Sequence, residues 1–474
     1  MPLTILSDAD VKDILQSLDK EELTDLQTSM QVALHEYATG TTAAGAAAAN
    51  QPNRTVIESS NGTTTLFMPS TSSSGIGMKV VTLAAPPLSP EKDRPLPDTD
   101  ATTPQGALTL MDADGRPFGF LNAEEVTAFR TALASSLLIS RRAKVKTLTV
   151  FGTGKQAYWH VRLALLLRGS TIKKVHFINR DFNHRAARCM RAFVGYDAAR
   201  KEAEGWFDTT FDLTSLKYGE IGRILKDHVR AADIIICTTP SSEPLFDHTI
   251  LTNTEGRRRA RLIIAIGSYK PHMIEIPPEV LSQAIKVHGP GFHFHKHAEE
   301  GGVIVVDTLT CIKEAGELVQ AAVPPDRTVE LGELVMLEKL HTPQEEDSAI
   351  DDSPDESNEN ISPPSPEGVR SLAKVFREDS GEGRSKSVTV SRKSSFTLSR
   401  KGSFSFHSRS ASASSMGGRR KKVQTEKEDQ MSRWLSGGNV IYKSVGMGLM
   451  DLIVGSDIIK LAREKNIGVT VDDF

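Results

Sequence analysis

Three basic side chains in the first third of the chain could together bind a small anionic substrate. Arg54 opens a strand-like run, Lys79 lies inside the apolar run GIGMKVVTL, and Arg130 lies inside the helical run FRTALASSLL. Charged side chains are seldom buried unless they have a partner or a task. Two guanidinium groups suit a bidentate carboxylate clamp, and a desolvated Lys79 would have a lowered pKa and could pass a proton. The residues alone are equally compatible with simple ion pairs at an edge.

A glycine turn in the middle of the chain could bind a phosphate. The segment KTLTVFGTGKQAYWH has a β-rich run, the turn, and then a helical run. Glycine allows a sharp turn and a close approach of the backbone to a phosphate, and unpaired amides at the helix start favour an anion. Because a second strand-like run follows, the layout predicts a dinucleotide site, against the alternative of an ordinary strand–helix turn. The predicted contacts are Gly152, Thr153, Gly154, Gln156 and Ala157.

The end of the second strand bears on the choice of dinucleotide. A carboxylate that binds the ribose hydroxyls of NAD usually stands there, but this chain has Asn179 followed by Arg180. A neutral amide removes repulsion toward a 2′-phosphate, and a guanidinium can bind that phosphate through two parallel hydrogen bonds. We therefore predict NADPH as the cofactor, with NADH as the alternative. Arg180 as a merely solvated charge at a strand end also stays open.

Composition limits the classes of partner and compartment. The chain has 474 residues and a net charge of −3, so no global basic field favours nucleic acid. Its three cysteines are far apart in sequence, which fits buried thiols in a reducing compartment. The acidic N-terminal segment does not resemble a signal peptide, and no apolar run approaches the ~20 residues of a membrane-spanning helix. We expect a cytoplasmic protein without membrane or nucleic-acid partners.

One histidine-rich run invites a metal interpretation. His293, His295 and His297 alternate, as they would along one face of a strand. The run follows Gly289-Pro290-Gly291 and has no cysteine or carboxylate at a clear ligand spacing. We therefore predict no metal site.

The periodicity of the chain predicts the elements that position these residues. Residues 3–37 are predicted to be helical, and short strands follow at 55–58, 64–68 and 77–83, with a further strand pair around the turn Asp112–Gly115. A helix is predicted from the N-cap Asn122 through Arg141. Two inserts, 38–53 and 84–105, are predicted to be flexible or loop segments.

From residue 146 to about residue 308, strand and helix patterns alternate, which predicts a parallel sheet covered by helices. The predicted strands are 147–151, 174–178, 233–237, 262–266 and 303–306. Residues 311–340 are predicted to be helical. Order is predicted to return at Asn439 with a strand, a glycine turn and an amphipathic helix.

A long segment between these parts, residues 341–430, first acidic and then basic and serine-rich, is predicted to be disordered because few aliphatic residues are present. Within it, the repeat SRKSSF and SRKGSF places Ser395 and Ser403 three residues after an arginine. That spacing suits a basophilic protein kinase as a partner, and phosphorylation would invert the local charge. A merely solvated basic linker is an equally open interpretation.

Taken together, the motifs resemble the ornithine cyclodeaminase/μ-crystallin family. The matching segments are NRTVIES, LFMPS, GMKVVTL, ALTLMDADGRP, EEVTAFRTALASSLL, TVFGTGKQAYWH, FINR, ADIIICTTPSSEPLF, IIAIGSYKPHMIEI and VIYKSVGMGLMDL. They cover most of the chain outside the inserts 38–53, 84–105 and 341–430. The resemblance is closest to the NADPH-using, ketimine reductase-like branch.

The resemblance implies an α/β fold with a central Rossmann-type, doubly wound domain inserted in a discontinuous α+β substrate and dimerisation domain. The implied boundaries are 1–121, 122–310, then 311–340 with 431–474, with 341–430 as an insert. Members are usually homodimers that act on a small imine or amino acid bearing a carboxylate.

The resemblance also implies residue roles. Arg54, Lys79 and Arg130 match positions that hold the substrate carboxylate and handle protons. Further cofactor contacts are implied at Thr239, Ile264, Ala265, Ile266 and Ser444.

One position departs from the pattern of the cyclodeaminases. They carry an aspartate at the position that aligns with Tyr269, and a phenol cannot replace a carboxylate as acid or base near neutral pH without a large pKa change. The expected activity is therefore NADPH-dependent reduction of a cyclic imine or imino acid, or an amino-acid dehydrogenase reaction running in reverse. Cyclodeamination of ornithine to proline, and a non-catalytic NADPH-binding regulatory role, are the alternatives.

Overall fold

The computed structural model describes residues 2–40, 51–60, 62–83, 105–286, 299–337, 428–472 and 474. In the predicted flexible insert 38–53, loop 84–105 and disordered segment 341–430, residues 41–50, 84–104 and 341–427 lie outside the described residues. Residues 38–39 and 428–430 are helical and Gln105 begins a strand, so the predictions are wrong at these ends. The histidine run 293–297, Ser395 and Ser403 lie outside the described residues as well.

Seven strands form a mixed sheet, which we call the substrate sheet. They are β1 (Leu3–Leu6), β2 (Thr55–Glu58), β3 (Thr64–Ser72), β4 (Gly75–Leu83), β5 (Gln105–Met111), β6 (Pro117–Asn122) and β15 (Val469–Val471). Their order is β15-β1-β6-β5-β4-β3-β2, with β1 and β6 parallel and the other neighbours antiparallel. On β4, Lys79 is buried while Ile76 and Met78 are exposed, so alternate side chains face opposite sides of the sheet.

Helices α1 (Asp8–Ser17) and α2 (Lys20–Thr39) follow the first strand. Each begins with a capping box, led by Ser7 and Asp19 respectively. The prediction of a helix from residue 3 is wrong for residues 3–6. Residues 4–6 instead pair with β6 in parallel and residues 3–5 with β15 in antiparallel fashion, because partners far along the chain satisfy their backbone groups.

Eight parallel strands form the second sheet, which we call the nucleotide sheet. They are β7 (Thr147–Phe151), β8 (Lys174–Asn179), β9 (Thr210–Ser215), β10 (Ile234–Cys237), β11 (Leu262–Ala265), β12 (Ile304–Val306), β13 (Thr328–Glu330) and β14 (Val440–Lys443). Their order is β13-β12-β14-β11-β10-β7-β8-β9, which reverses direction at β7. The strands are largely buried apolar runs, as expected for a sheet covered on both faces. The predicted doubly wound α/β fold is confirmed.

The nucleotide sheet corrects the predicted division of the chain at two places. β13 lies in a segment predicted to be helical and assigned to the substrate domain, yet it pairs with β12. β14 was assigned to the same domain, yet it lies between β11 and β12. The sequences of β13 and β14 are short or uniformly apolar and do not indicate which strand each will pair with. Their position in the sheet is therefore decided by pairing with segments distant in sequence.

The remaining helices connect these strands. They are α3 (Ala123–Ile139), α4 (Lys155–Arg168), α5 (His184–Val194), α6 (Ala198–Ala203), α7 (Ile221–Ala231), α8 (Thr249–Thr252), α9 (Pro278–Ala284), α10 (Cys311–Glu314), α11 (Gly316–Gln320), α12 (Leu331–Leu334), α13 (428–437) and α14 (Gly448–Lys465). The start of α13 at 428 shows that order returns earlier than the predicted residue 439.

Helix α3 joins the two halves of the molecule. It begins after Asn122, whose side chain accepts a hydrogen bond from the amide of Glu124, and it ends two residues before the predicted Arg141. It packs against α1, α2, α4 and α14, and its residues are buried on nearly every side. Arg130 therefore lies in the space between the substrate sheet and the nucleotide sheet.

Candidate active site

A buried carboxylate joins two of the three predicted catalytic cations. Asp451 of α14 places one oxygen 2.7 Å from Lys79 Nζ and the other 3.2 Å from Arg130 Nε. The Asp451 side chain is fully buried and the two cations are almost so. Both contacts are charge pairs whose angles depart from those of a good hydrogen bond. The carboxylate therefore holds both cations chiefly by charge, and Arg130 Nε has no hydrogen-bond partner among the described residues.

The surroundings of Lys79 lower its affinity for a proton. Burial lowers the pKa of Lys79 to about 8; the Asp451 carboxylate opposes this, and the Arg130 guanidinium adds to it. An ammonium group with a pKa near neutrality can give up a proton and recover it from water. Lys79 thus has the property of a general acid.

A tight turn sets the position of Arg130. Gly446 adopts a positive φ of +79°, and a Cβ at this position would overlap the Arg130 guanidinium. Asp307 holds the turn, because one of its oxygens accepts hydrogen bonds from the Ser444 hydroxyl at 2.8 Å and from the amides of Val445 and Gly446 at 3.1 and 2.6 Å. The predicted cofactor residue Ser444 therefore lies in the same turn that packs on Arg130.

Arg54 lies in a more open part of the same site. Its guanidinium is 2.7 Å from the Glu314 carboxylate, and 27% of its side chain is exposed. A partly exposed ion pair of this kind contributes little to stability. Arg54 can therefore exchange its partner for another carboxylate at small cost.

All three cations line one cavity of about 830 Å³. The same cavity reaches Thr153 and Gly154 of the glycine turn, Gln156 of α4, and Ile266, Tyr269 and Ser444 at the carboxyl ends of β11 and β14. Within the described residues its charged lining is seven basic and three acidic side chains: Lys12, Arg54, Lys79, Arg130, Lys155, Arg185 and Arg188 against Asp8, Glu124 and Glu125. The surplus of positive charge favours an anionic ligand.

The glycine turn has the geometry for a dinucleotide phosphate. Gly152 has a φ of +102°, and a Cβ there would lie 2.7 Å from Thr238 Oγ1. A Cβ at Gly154 would meet nothing within 4 Å, so the backbone at the start of α4 faces open space. No side chain of the described residues caps this helix start, which leaves its first amides free for an anion. These residues fit a dinucleotide.

The other predicted cofactor residues occupy three kinds of position. Ala157, Ile264 and Ala265 are fully buried in the core and do not line the cavity. Asn179 donates a hydrogen bond of 2.7 Å from its side chain to the Asp181 carbonyl, and Arg180 is 79% exposed. Whether these residues contact a cofactor stays a prediction.

Thr239 lies in a network that the sequence did not reveal. Glu275 accepts hydrogen bonds from the Thr239 amide at 2.7 Å, the Gly267 amide at 2.6 Å and the Ser268 amide at 3.2 Å. One fully buried side chain thus fixes the loops that follow β10 and β11. Burial raises the pKa of Glu275 to about 7, against the opposing effect of the Lys443 ammonium. The sequence signal for such a residue is a single acid within the apolar run MIEIPP.

Comparisons with curated proteins find relatives over about half of this chain. A Δ1-pyrroline-2-carboxylate reductase of Bacillus cereus is 28% identical over 229 residues, 47% of this chain and 59% of its own length. An uncharacterized protein of Saccharomyces cerevisiae is 27% identical over 253 residues, 48% of this chain and 63% of its own. An uncharacterized cyclodeaminase of Dictyostelium discoideum is 27% identical over 221 residues, 44% of this chain and 54% of its own. The chain is thus similar to Δ1-pyrroline-2-carboxylate reductases and to a protein named as a cyclodeaminase, in line with the resemblance of its motifs. It spans about three fifths of the length of the curated relatives that it matches.

Solved structures show the same fold. An archaeal alanine dehydrogenase dimer with bound NAD superposes with a TM-score of 0.56 at 16% identity, with 100% of both chains covered. A Thermococcus litoralis Δ1-pyrroline-2-carboxylate reductase in complex with NADH and L-proline superposes with a TM-score of 0.55 at 17% identity, covering 99% of this chain and 100% of that one. No protein-family model matches the chain.

The side chain at Tyr269 departs from the aspartate that the resemblance to cyclodeaminases implies at this position of the cavity. Tyr269 lines the cavity beside Gly267, and burial raises the pKa of its phenol. A phenol whose pKa is raised above its usual range stays protonated near neutral pH. Tyr269 therefore cannot act as a base in the way that an aspartate would.

A possible metal cluster lies on the nucleotide sheet, away from the cavity. Among the described residues, His176, Asp212 and His228 bring candidate ligand atoms within 4.8 Å of one another. The two imidazole rings are stacked, with centroids 3.9 Å apart and planes at 17°. Imidazole binds metals through a lone pair in the ring plane, so near-parallel rings cannot aim at one ion unless one ring turns. The cluster gives no support for a metal site.

Two further features concern the environment of the protein. No helix in the described part of the chain is long and apolar enough to cross a membrane. Cys189, Cys237 and Cys311 are all free and buried, as predicted.

Proposed function

We propose that this protein is a reductase that uses a reduced nicotinamide dinucleotide to convert a small imine bearing a carboxylate, such as a cyclic ketimine, into the corresponding amino acid. One observation carries the proposal: Lys79 and Arg130 share the buried Asp451 at the wall of a cavity that also contains the glycine turn at Gly154. A proton donor, a carboxylate-binding cation and a dinucleotide site are thus placed together. The relative named as a Δ1-pyrroline-2-carboxylate reductase supports this substrate class.

The residues of the cavity divide the work of this reaction. When bound at the turn formed by Gly152, Thr153 and Gly154, a reduced dinucleotide supplies a hydride to the imine carbon. Arg130 and Arg54 bind the substrate carboxylate and so orient the C=N bond. Lys79 gives one proton to the imine nitrogen, which balances the hydride and leaves an amine. Asp451 stabilises the charged form of Lys79 before the transfer.

The finer choice of NADPH over NADH is part of the proposal. It rests on the neutral Asn179 and the exposed Arg180 at the end of β8. The archaeal and Thermococcus proteins of the same fold were seen with NAD and NADH, so both dinucleotides belong in the assay.

The decisive experiment is NADPH and NADH oxidation by the full chain against a panel of cyclic ketimines and of keto acids with amines. Lys79→Ala should reduce turnover by about 10²–10⁴-fold while NADPH binding is retained. An equal loss of turnover and of cofactor binding would contradict the proton-donor role. Lys174→Ala, an exposed residue at the start of β8 that does not line the cavity, is the matched control.

A second candidate is cyclodeamination of ornithine to proline with recycling of the dinucleotide. The Dictyostelium relative named as a cyclodeaminase favours it, whereas Tyr269 in place of a carboxylate disfavours it. Ammonia release from ornithine without net cofactor change would establish this activity. Tight NADPH binding without any turnover in either assay would instead support a regulatory role.

We also propose a homodimer that buries the outer face of the substrate sheet. That face exposes several large apolar side chains between 37% and 62%: Ile5, Ile76, Met78, Phe120 and Val469. The archaeal protein of the same fold is a dimer. Light scattering should give twice the chain mass for the parent, and Phe120→Glu should lower it to one chain; a monomeric parent would contradict the dimer.

Two proposals concern regulation and location. A protein kinase is proposed to modify Ser395 and Ser403, which mass spectrometry of the protein from cells would detect. A cytoplasmic location is proposed because the free cysteines fit a reducing compartment. Fractionation that placed the protein in an oxidising compartment would contradict it.

A further inference from the structure

Three charged side chains meet at the carboxyl ends of β8 and β9. Asp181 places one carboxylate oxygen 2.5 Å from Lys217 Nζ and the other 3.6 Å from Arg180 Nε. The two cations expose 79% and 75% of their side chains, whereas Asp181 exposes 35%. The acid is thus flanked by two more exposed cations, and the cluster carries a net positive charge toward solvent.

Backbone contacts hold the two loops together. The Leu216 amide donates to the Asn179 carbonyl at 3.0 Å, and the Ser215 hydroxyl donates to the Arg180 carbonyl at 3.1 Å. The Lys217 amide donates to the same hydroxyl oxygen at 3.2 Å. Arg180 and Lys217 therefore project from loops of fixed separation, although 36 other residues lie between them in the sequence.

The topology places this cluster where the adenosine ribose of a dinucleotide would lie. In an open parallel sheet, ligands bind outside the carboxyl ends of the strands at the point where the strand order reverses, which here is β7. The glycine turn after β7 would hold the pyrophosphate, and β8 is the neighbouring strand. The end of β8 is then next to the ribose, and β9 lies one strand further.

We propose that Arg180 and Lys217 form a two-cation site for the 2′-phosphate of NADPH, with Asp181 as its internal counter-ion. This inference rests on the proposed function. A 2′-phosphate carries close to two negative charges and three acceptor oxygens, which match a planar guanidinium and a mobile ammonium. Asp181 holds the two cations near each other through its two carboxylate oxygens. When NADH is bound in place of NADPH, the same carboxylate can accept a hydrogen bond from the ribose 2′-hydroxyl. Lys217 and Asp181 thus set the ratio of the two affinities.

The test is calorimetric binding of NADPH and NADH, with 2′,5′-ADP and 5′-AMP as fragments that differ by the 2′-phosphate alone. Lys217→Met should weaken NADPH and 2′,5′-ADP about tenfold or more and leave NADH and 5′-AMP unchanged. Asp181→Asn should strengthen NADPH and weaken NADH. Exposed ion pairs contribute little to stability, so these variants should fold normally. Lys174→Met, at the opposite end of β8, is the matched control.

The outcomes separate this site from the proposed reaction. An equal change in NADPH and NADH affinity for Lys217→Met, or no change in either, would overturn the two-cation site. NADPH binding that depends on Lys217 in a protein that reduces no imine would uphold the site and refute the reaction. Failure to bind either dinucleotide would refute both.

Discussion

The buried charge of Lys79 should make the folded protein less stable than a variant without that charge, although the proposed reaction requires it. Burial lowers its pKa from 10.5 to about 8. Each pKa unit corresponds to about 1.4 kcal/mol, so charging Lys79 in the folded protein disfavours folding by about 3 kcal/mol at pH 7. The substitution Lys79→Met keeps the length and removes the charge, while Arg130 remains as a partner for Asp451. We expect the variant to be more stable than the parent by up to about 3 kcal/mol and to lose turnover by about 10²–10⁴-fold.

The sign of the effect fixes its pH dependence. Because the folded pKa of Lys79 is depressed, its cost is fully present below pH 8 and disappears as the pH rises toward 10.5. The stability difference between Lys79→Met and the parent should therefore be constant from pH 6 to about pH 8 and should close by about pH 10.5. Turnover of the parent should fall above about pH 8, because the charged proton donor is lost.

Urea unfolding of Lys79→Met and of the parent, at equal protein concentration and across this pH range, measures the difference in their free energies of unfolding. Lys155→Met is the matched control. Burial lowers the pKa of Lys155, but the hydrogen bonds to Glu124 and Glu125 outweigh burial, so the pKa lies above its usual value. Losing Lys155 should therefore destabilise the protein. A Lys79→Met protein that is less stable than the parent at pH 7, or a gap that persists at pH 10.5, would refute the reasoning.

Three further substitutions test other parts of the site. Asp451→Asn leaves two buried cations without a charged partner and should lower the free energy of unfolding by about 3–5 kcal/mol in a denaturation experiment. The control is Asp457→Asn on the same helix, where burial raises the pKa of the acid to about 6. That substitution should leave the free energy of unfolding nearly unchanged or raise it. Glu275→Gln can accept through one oxygen only, so hydrogen exchange should speed up at the amides that it holds and the dinucleotide Kd should rise about tenfold; unchanged exchange would contradict this. Gly446→Ala places a Cβ against Arg130 at a positive φ, so KM for the imine should rise more than the dinucleotide Kd; an equal rise in both would count against a local effect.

The sequence was sufficient to predict the fold because its signals are local. The glycine turn between β7 and α4, and the N-cap at Asn122, are patterns within a few residues of the elements that they define. Strand β1 was missed because four residues before a strong helix carry little pattern of their own. Strand β13 was predicted to be helical, and the segments of β13 and β14 were assigned to the substrate domain, because pairing between distant segments leaves no local trace.

The candidate site was predictable in part for the same reason. Lys79 and Arg130 stand out as charges in apolar runs, and so does Asp451 in the run GLMDLIV, although only the fold shows that it joins the other two. Lys217 gives no signal at all, because an exposed lysine after a strand is ordinary until Asp181 and the end of β8 are seen beside it. Sequence patterns show which residues are unusual, whereas the partners of ordinary residues require the structure.

The position of β14 has a consequence for how the protein is made. β11 and β12 are both translated well before β14, which must enter between them and pair with each. A nascent chain without β14 has two facing strand edges with unpaired backbone groups, a state that is prone to aggregate. The same late segment carries Asp451, the partner of Lys79 and Arg130. Closing the sheet and neutralising the two cations are therefore one event in biogenesis, so a partly synthesised chain is not expected to be partly active.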